Sequence, residues 1–421
     1  MIHQESEPVA RWSLAQRIAF RFFFSYFCLF FLTNGIVVLL PWRALFIRSY
    51  AAFWHPIIVW LEEHVLHTGY EILIVAGGEG VNNTAYGTIL FLCYVTLAAV
   101  ATVLWSVLDR RRAGYERLHS WFRFALRFSL ALAMISYGVL KVIPTQMIAP
   151  PPLGLMTRRL GDFTPMQLLW SFMGASPPYE SLTGCAELLG GVLLLVPRTT
   201  LLGALVCLGD MAMVVTLNFC YDVHVKLYSM HLLLMAALLV APDLGRLANL
   251  FLFNRGVEPA TAPPLFARKE LDRAAQGFLL LFGLYMIGTT FQETYERYKT
   301  FHPPRPPLYG VWSVEDLAVD GREVPLFTDP QRWRWVFFQK PGVLSVELMI
   351  GSRKRYPLSL DLRNRTMTLG DQARFSVDAS RPDTLLLDGV LDGHPTRARL
   401  TRMPLTAQRF HWIFVPPEED R

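Results

Sequence analysis

Apolar runs long enough to cross a bilayer fill residues 14–292, and they constrain this chain more than any other feature. A helix needs about 20 mostly apolar residues to span roughly 30 Å of hydrocarbon. Inside lipid every backbone N–H and C=O must find a partner within the spanning structure, so such runs fold as helices. Charged residues are 18% of the chain, against about 25% in an average protein. Mean hydropathy is +0.31. These values exclude a disordered, collagenous or disulfide-stapled chain and point to a multi-pass membrane protein.

Seven spans are expected, at residues 16–40, 86–108, 120–143, 180–197, 200–219, 227–241 and 274–292. No small-x-small cleavage site follows the first, so it reads as a retained anchor. Residues 51–66 hold Trp54, His55, Trp60, Glu62 and Glu63 and read as an interfacial helix. Residues 164–174, TPMQLLWSFMG, read as a short interfacial or re-entrant helix with Pro165 in its first turn.

The net charge of +6 gathers at the ends of apolar runs, which argues for membrane topology rather than nucleic-acid binding. Arg17, Arg110, Arg111, Arg112, Arg117, Arg198, Arg246, Arg255, Arg268, Lys269 and Arg273 fall on one side if there are seven spans. Basic loops stay in the cytoplasm. The N-terminus is therefore expected inside, and the C-terminal tail in the periplasm of a bacterium with an inner membrane.

The tail changes character. Pro303, Pro304, Pro306 and Pro307 make a stiff linker, and the period-two alternation of Leu358, Leu360 and Leu362 marks strands beyond it. Turn signals stand at Asp320-Gly321, Pro341-Gly342, Asp388-Gly389 and Asp392-Gly393. About eight short strands imply an all-β domain, a small barrel or sandwich. The expected divisions are 1–119 (anchor spans), 120–298 (membrane core and seventh span), 299–307 (linker) and 308–421 (extracytoplasmic β domain).

Charged groups inside a span cost several kcal/mol unless paired or hydrated, so each needs a reason. Glu187 and Asp210 lie near the middles of their spans, Arg127 within the third, and Lys141 near its outer end. The loop NFCYDVHVK adds Asn218, Tyr221, Asp222, His224 and Lys226 at the outer surface, and His231 lies one turn into the next span. Lys141 is expected to pair with Glu187, Lys226 with Asp222, and Asp210 with Arg127. Such a cluster either fixes helix order as structural ion pairs or forms a polar site. Gly184, Gly190, Gly191, Gly203 and Gly209 read as close helix contacts. His64-x-x-His67 reads as an interfacial polar face, and no metal site is expected. The five cysteines form no CxxC pair and read as small hydrophobes.

Tyr137-Gly138-Val139-Leu140-Lys141 resembles the YGxxK-type end of the first core helix in DoxX-like membrane proteins. Gly184-Cys185-Ala186-Glu187-Leu188-Leu189-Gly190-Gly191-Val192-Leu193-Leu194-Leu195, followed by Arg198-Thr199, is similar to that family's G-x-x-E-L-x-G-G-x-L-L-L stretch. The resemblance covers residues 120–245. It implies a four-helix membrane core and, through its DoxD members, quinone-linked redox chemistry. Lys141 and Glu187 are the residues it carries over, as the reacting pair. Around them Tyr137, Asp210, Asn218, Tyr221, Asp222, Lys226 and His231 are expected to bind a quinone or another isoprenoid lipid. The electron donor would be a partner protein. The alternative is a non-enzymatic binding, transport or assembly protein whose β domain grips a lipid or a partner. A cavity around the charged cluster favours the first reading, and a sealed ion-pair core the second.

Overall fold

The computed structural model describes residues 12–34, 42–73, 80–147, 152–259, 264–325 and 329–404. Trp412, in the C-terminal tail, lies outside them. The chain divides into two units: Met1–Ala149 with Phe163–Tyr298, and Pro150–Asp162 with Lys299–Arg421.

The first unit is helical. Its long helices are α1 (Leu14–Asn34), α2 (Arg43–Leu61), α3 (Ala85–Leu108) and α4 (Glu116–Val142). After the single-turn α5 (Leu153–Met156), which belongs to the second unit, come α6 (Pro165–Gly174), α7 (Pro177–Leu195), α8 (Thr200–Cys220), α9 (Lys226–Val240), α10 (Leu244–Phe251) and α11 (Lys269–Phe301). Among the described residues, seven helical stretches are long and apolar enough to cross a membrane. The chain is a multi-pass membrane protein.

The set differs from the expected one at two places. Arg43–Leu66 qualifies by length and apolarity, whereas Pro177–Leu195 does not, because Glu180, Glu187 and two prolines dilute it. Packing assigns their roles. Buried Arg21 of α1 donates to the Tyr115 hydroxyl (2.8 and 3.0 Å) and to the Asp109 carbonyl (2.9 Å), just past α3. At the other end of α1, Gly80 lies against Thr33 and Asn34. Helices α1 and α3 are therefore antiparallel, and the stretch between them leaves and returns at one end of the bundle. Helix α2 dips beside α3, bonding Tyr50 to the Tyr94 hydroxyl, without a net crossing. Helix α7 runs the depth of the bundle between α4 and α8, so its carboxylates are shielded by protein rather than lipid.

Glycines set the approach of these helices. A Cβ on Gly138 would lie 2.6 Å from the Leu188 nitrogen, one on Gly184 2.6 Å from Lys141 Cβ, and one on Gly191 2.9 Å from Ile135. Gly190 meets Cys207 and Gly203 meets Leu193 in the same way, joining α7 to α8. Gly209 has nothing within 4 Å, so it is not a packing glycine as expected. Arg127 is held by Gln276 of α11 and by Thr200 Oγ1 (3.4 Å), not by Asp210. The basic turns at Arg17, Arg110–Arg112, Arg198 and Arg246 gather at one end, where Asp243 accepts from Arg246 (2.5 Å) and forms a looser ion pair with Arg123 (3.8 Å).

The second unit is a closed antiparallel barrel. Its strands are β1 (Gly310–Val319), the two-residue β2 (Arg322–Glu323), β3 (Trp333–Lys340), β4 (Val343–Leu348), β5 (Arg353–Asp361), β6 (Thr366–Leu369), β7 (Ala373–Arg381), β8 (Thr384–Leu391) and β9 (His394–Arg402). Eight of them form a meander closed by β1 on β9, while β2 caps the end of β1. Trp312, Trp333, Phe338, Phe375 and alternating Leu and Val residues fill the interior. Closure removes the exposed edges that an open sheet would present. Asp320-Gly321 and Asp392-Gly393 make the expected tight turns, with both residues at positive φ. Asp388-Gly389 does not turn: it lies inside β8, where the missing side chain of Gly389 lets the Arg374 carbonyl of β7 approach.

Residues 152–162, which follow α4 in sequence, belong to this second unit. Leu153 is buried on Val311 and Phe337, and Arg353 donates to the Gly154 carbonyl (2.8 Å) while bonding Glu347 (2.8 Å).

Candidate functional site

The ion pair of Lys141 and Glu187 follows from the local sequence. Gly184 lies against the Lys141 β-carbon, so the lysine passes over the α7 backbone and reaches Glu187 one turn further along. The two side chains are 8% and 3% exposed. Their pairing is not sealed. Both line a cavity of about 320 Å³ among α4, α6, α7, α8 and α9.

Tyr137 of α4 and Asp210 of α8 open on the same cavity, as does Asn218, whose amide donates to Ser229 Oγ (3.0 Å) and ties α8 to α9. The walls are sulfur-rich and aromatic: Met134, Met211 and Met213 face Trp170, Phe172 and Tyr228. Methionine adapts its shape to a ligand and contacts ring edges favourably. Glu187 Oε2 and Asp210 Oδ2 are buried with no protein partner.

The expected short helix forms the cavity's cover. Thr164 accepts from the Gln167 N–H (3.2 Å), and Gln167 returns a bond to the Thr164 N–H (3.2 Å), which caps α6 with Pro165 at its first position. Glu180, fully buried in the first turn of α7, accepts from the Met147 N–H (2.9 Å). That bond fixes the turn after α4, where Gln146 and Met147 complete the lining. Sequence reasoning missed Glu180, Met147 and Trp170. A glutamate one turn before the G-x-x-E stretch was the available signal for the first.

Four of the expected site residues lie elsewhere. Asp222 and Lys226 pair on the surface (2.5 Å), with Asp222 80% exposed. The hydrogen bond from the Lys226 ammonium holds the Asp222 carboxyl below its ordinary range. Tyr221 is exposed in the same turn. They miss the cavity because Asp222 takes a left-handed conformation (φ 51°) that turns the chain outward, while Val223, His224 and Val225 turn in. His231 points to the opposite side of α9. Its Nδ1 faces the Leu227 carbonyl (2.5 Å) and so carries the proton, which leaves Nε2 to accept from the Tyr26 hydroxyl. The ring stacks on Phe30 at 4.4 Å. It is a structural contact between α9 and α1.

Among the described residues no group of three metal-ligating side chains occurs. His67 sits past the end of its helix at φ 49°, so His64 and His67 do not share a helical face. Glu62 folds that turn by accepting from Thr68 Oγ1 (2.6 Å) and the Gly69 N–H (2.9 Å).

Over 150 residues the chain is 32% identical to the uncharacterized protein YwoB of Bacillus subtilis (strain 168). The match covers 34% of this chain and 86% of that protein. The chain belongs to the YwoB family. YwoB thus corresponds to about a third of this chain, and the remainder lies outside the match. No family model and no solved structure matches the chain.

Proposed function

We propose that this membrane protein binds the ring of a quinone, or of a similarly built isoprenoid lipid, in the cavity beside Lys141 and Glu187 and exchanges protons with it. The observation that carries this reading is that a buried ion pair lines a cavity instead of being packed shut. A cavity of roughly 150 Å³ holds benzene. At about 320 Å³ this one suits a substituted ring or two fused rings, with a prenyl chain left to the lipid. Lys141 and Tyr137 would donate to a ring oxygen, and Glu187 and Asp210 would take or return its protons. The arrangement of α4, α7, α8 and α9 around Lys141 and Glu187 also accords with the four-helix core of DoxX-like proteins.

The basic turns share one end of the bundle, which by the positive-inside rule is the cytoplasmic end. Lys141 and the cavity lie toward the other end. Helices α4 and α11 also end there. The cavity would then open to the periplasmic half of an inner membrane, and the barrel would be extracytoplasmic. The five cysteines are free, so electrons would come from a partner protein. The barrel interior is filled by its own side chains, which favours the membrane cavity over the β domain as the lipid site.

Mass spectrometry of an organic extract of the purified protein tests this. About one quinone or isoprenoid lipid per chain, lost in Lys141→Met, is expected. An extract holding only bulk phospholipid would overturn the reading.

A further inference from the structure

We infer that the cavity distinguishes the two redox forms of its ring ligand and binds the dihydroxy form, the quinol, more tightly than the quinone. This rests on the quinone reading above and extends it to substrate form. The basis is which polar atoms the cavity leaves without a protein partner. Glu187 is 2% exposed, and its Oε1 takes the Lys141 ammonium while its Oε2 has no partner. Asp210 Oδ2, on the facing helix, has none either. One ammonium is therefore set against two carboxyl groups, and while both are ionised the atoms left over, Gln146 Oε1 among them, are acceptors.

A quinone carries only acceptor oxygens, whereas a quinol presents two hydroxyl donors. The donors of the site do not discriminate, because the Lys141 ammonium and the Tyr137 hydroxyl reach a quinol oxygen as well as a quinone oxygen. The acceptors do discriminate. Water entering the cavity would satisfy them, and a ring that displaces such water must supply the same bonds. A quinol does so. A quinone instead sets carbonyl oxygens against a buried carboxylate oxygen, and a buried acceptor left unpaired is expensive. One hydrogen bond to a charged group corresponds to roughly a 10- to 150-fold preference.

The test is anaerobic calorimetric titration of the full-length protein in detergent with a short-chain benzoquinone and with its reduced form. At least tenfold tighter binding of the quinol is expected, which raises the two-electron potential of the bound couple by about 30 mV per tenfold. In Asp210→Asn the ratio should fall at least threefold, through weaker quinol binding. Equal affinities, or tighter quinone binding, would overturn this inference and leave the ring site standing. Binding of neither form would overturn both. The wild-type ratio decides the matter by itself, so a poorly folding variant does not remove the test.

Discussion

Removing the Lys141 ammonium separates the structural part of the ion pair from its chemical part. Lys141 and Glu187 are 8% and 3% exposed, so Lys141→Met leaves a carboxylate buried without its counter-charge. Breaking such a pair costs about 3–5 kcal/mol. At about 2–4 °C per kcal/mol for a unit of this size, the thermal midpoint should fall roughly 6–20 °C. Replacing both partners, Lys141→Met with Glu187→Met, removes the uncompensated charge. Stability should return to within about 1 kcal/mol of the parent. Ligand retention should not return, because two of the four groups proposed to meet the ring are gone. The assay is tryptophan-monitored unfolding in mild detergent, with quinone content measured on the same samples. A single variant that unfolds within 2 °C of the parent would refute the desolvated pair. A double variant that keeps its ligand would reduce the pair to helix order alone.

Gly184→Val should cost about 3 kcal/mol or more, since its β-carbon would sit 2.6 Å from Lys141 Cβ and from the Val142 nitrogen. Gly209→Ala, with open space around it, should be neutral in the same unfolding assay. In the barrel, buried Arg332 donates to the carbonyls of Val324 (2.9 Å), Val314 (3.3 Å), Trp333 (3.2 Å) and Glu315 (2.7 Å). Arg332→Met should cost about 3 kcal/mol and speed proteolysis within residues 308–404 of the intact chain. The Asp222 carboxyl is held below its ordinary range, so its contribution is complete above the unfolded value near 4 and is lost as pH falls through the lower folded value. The difference in midpoint between Asp222→Asn and the parent should therefore stay flat from pH 5 to 8 and close only below about pH 4.

What the sequence reveals and what it hides divide along a physical line. Helix positions follow from apolar length, and the cap of α6 from Thr164, Pro165 and Gln167, because both are local properties. The Lys141–Glu187 pair is legible because an intramembrane charge needs a partner, and the glycines of α7 say where a helix comes close. The partner of Arg127 was not legible: Gln276 lies almost 150 residues away, and a neutral amide gives no charge signal. Asp388-Gly389 reads locally as a turn, and only the approach of β7 shows that the glycine serves a strand. The insertion at 152–162 looks like a loop of the membrane unit, yet Leu153 and Gly154 find their partners on the barrel. His231 had the right depth but the wrong face of α9, which only the stack on Phe30 decides.

The central claim is that the cavity beside Lys141 and Glu187 is where a quinone ring sits. Photo-crosslinking with a quinone analogue, followed by peptide mapping, tests it most directly. The account predicts label on Met134, Trp170 or Met213, lost when excess unlabelled quinone competes. Label confined to the barrel, or scattered over lipid-facing helix surfaces and indifferent to competitor, would contradict it.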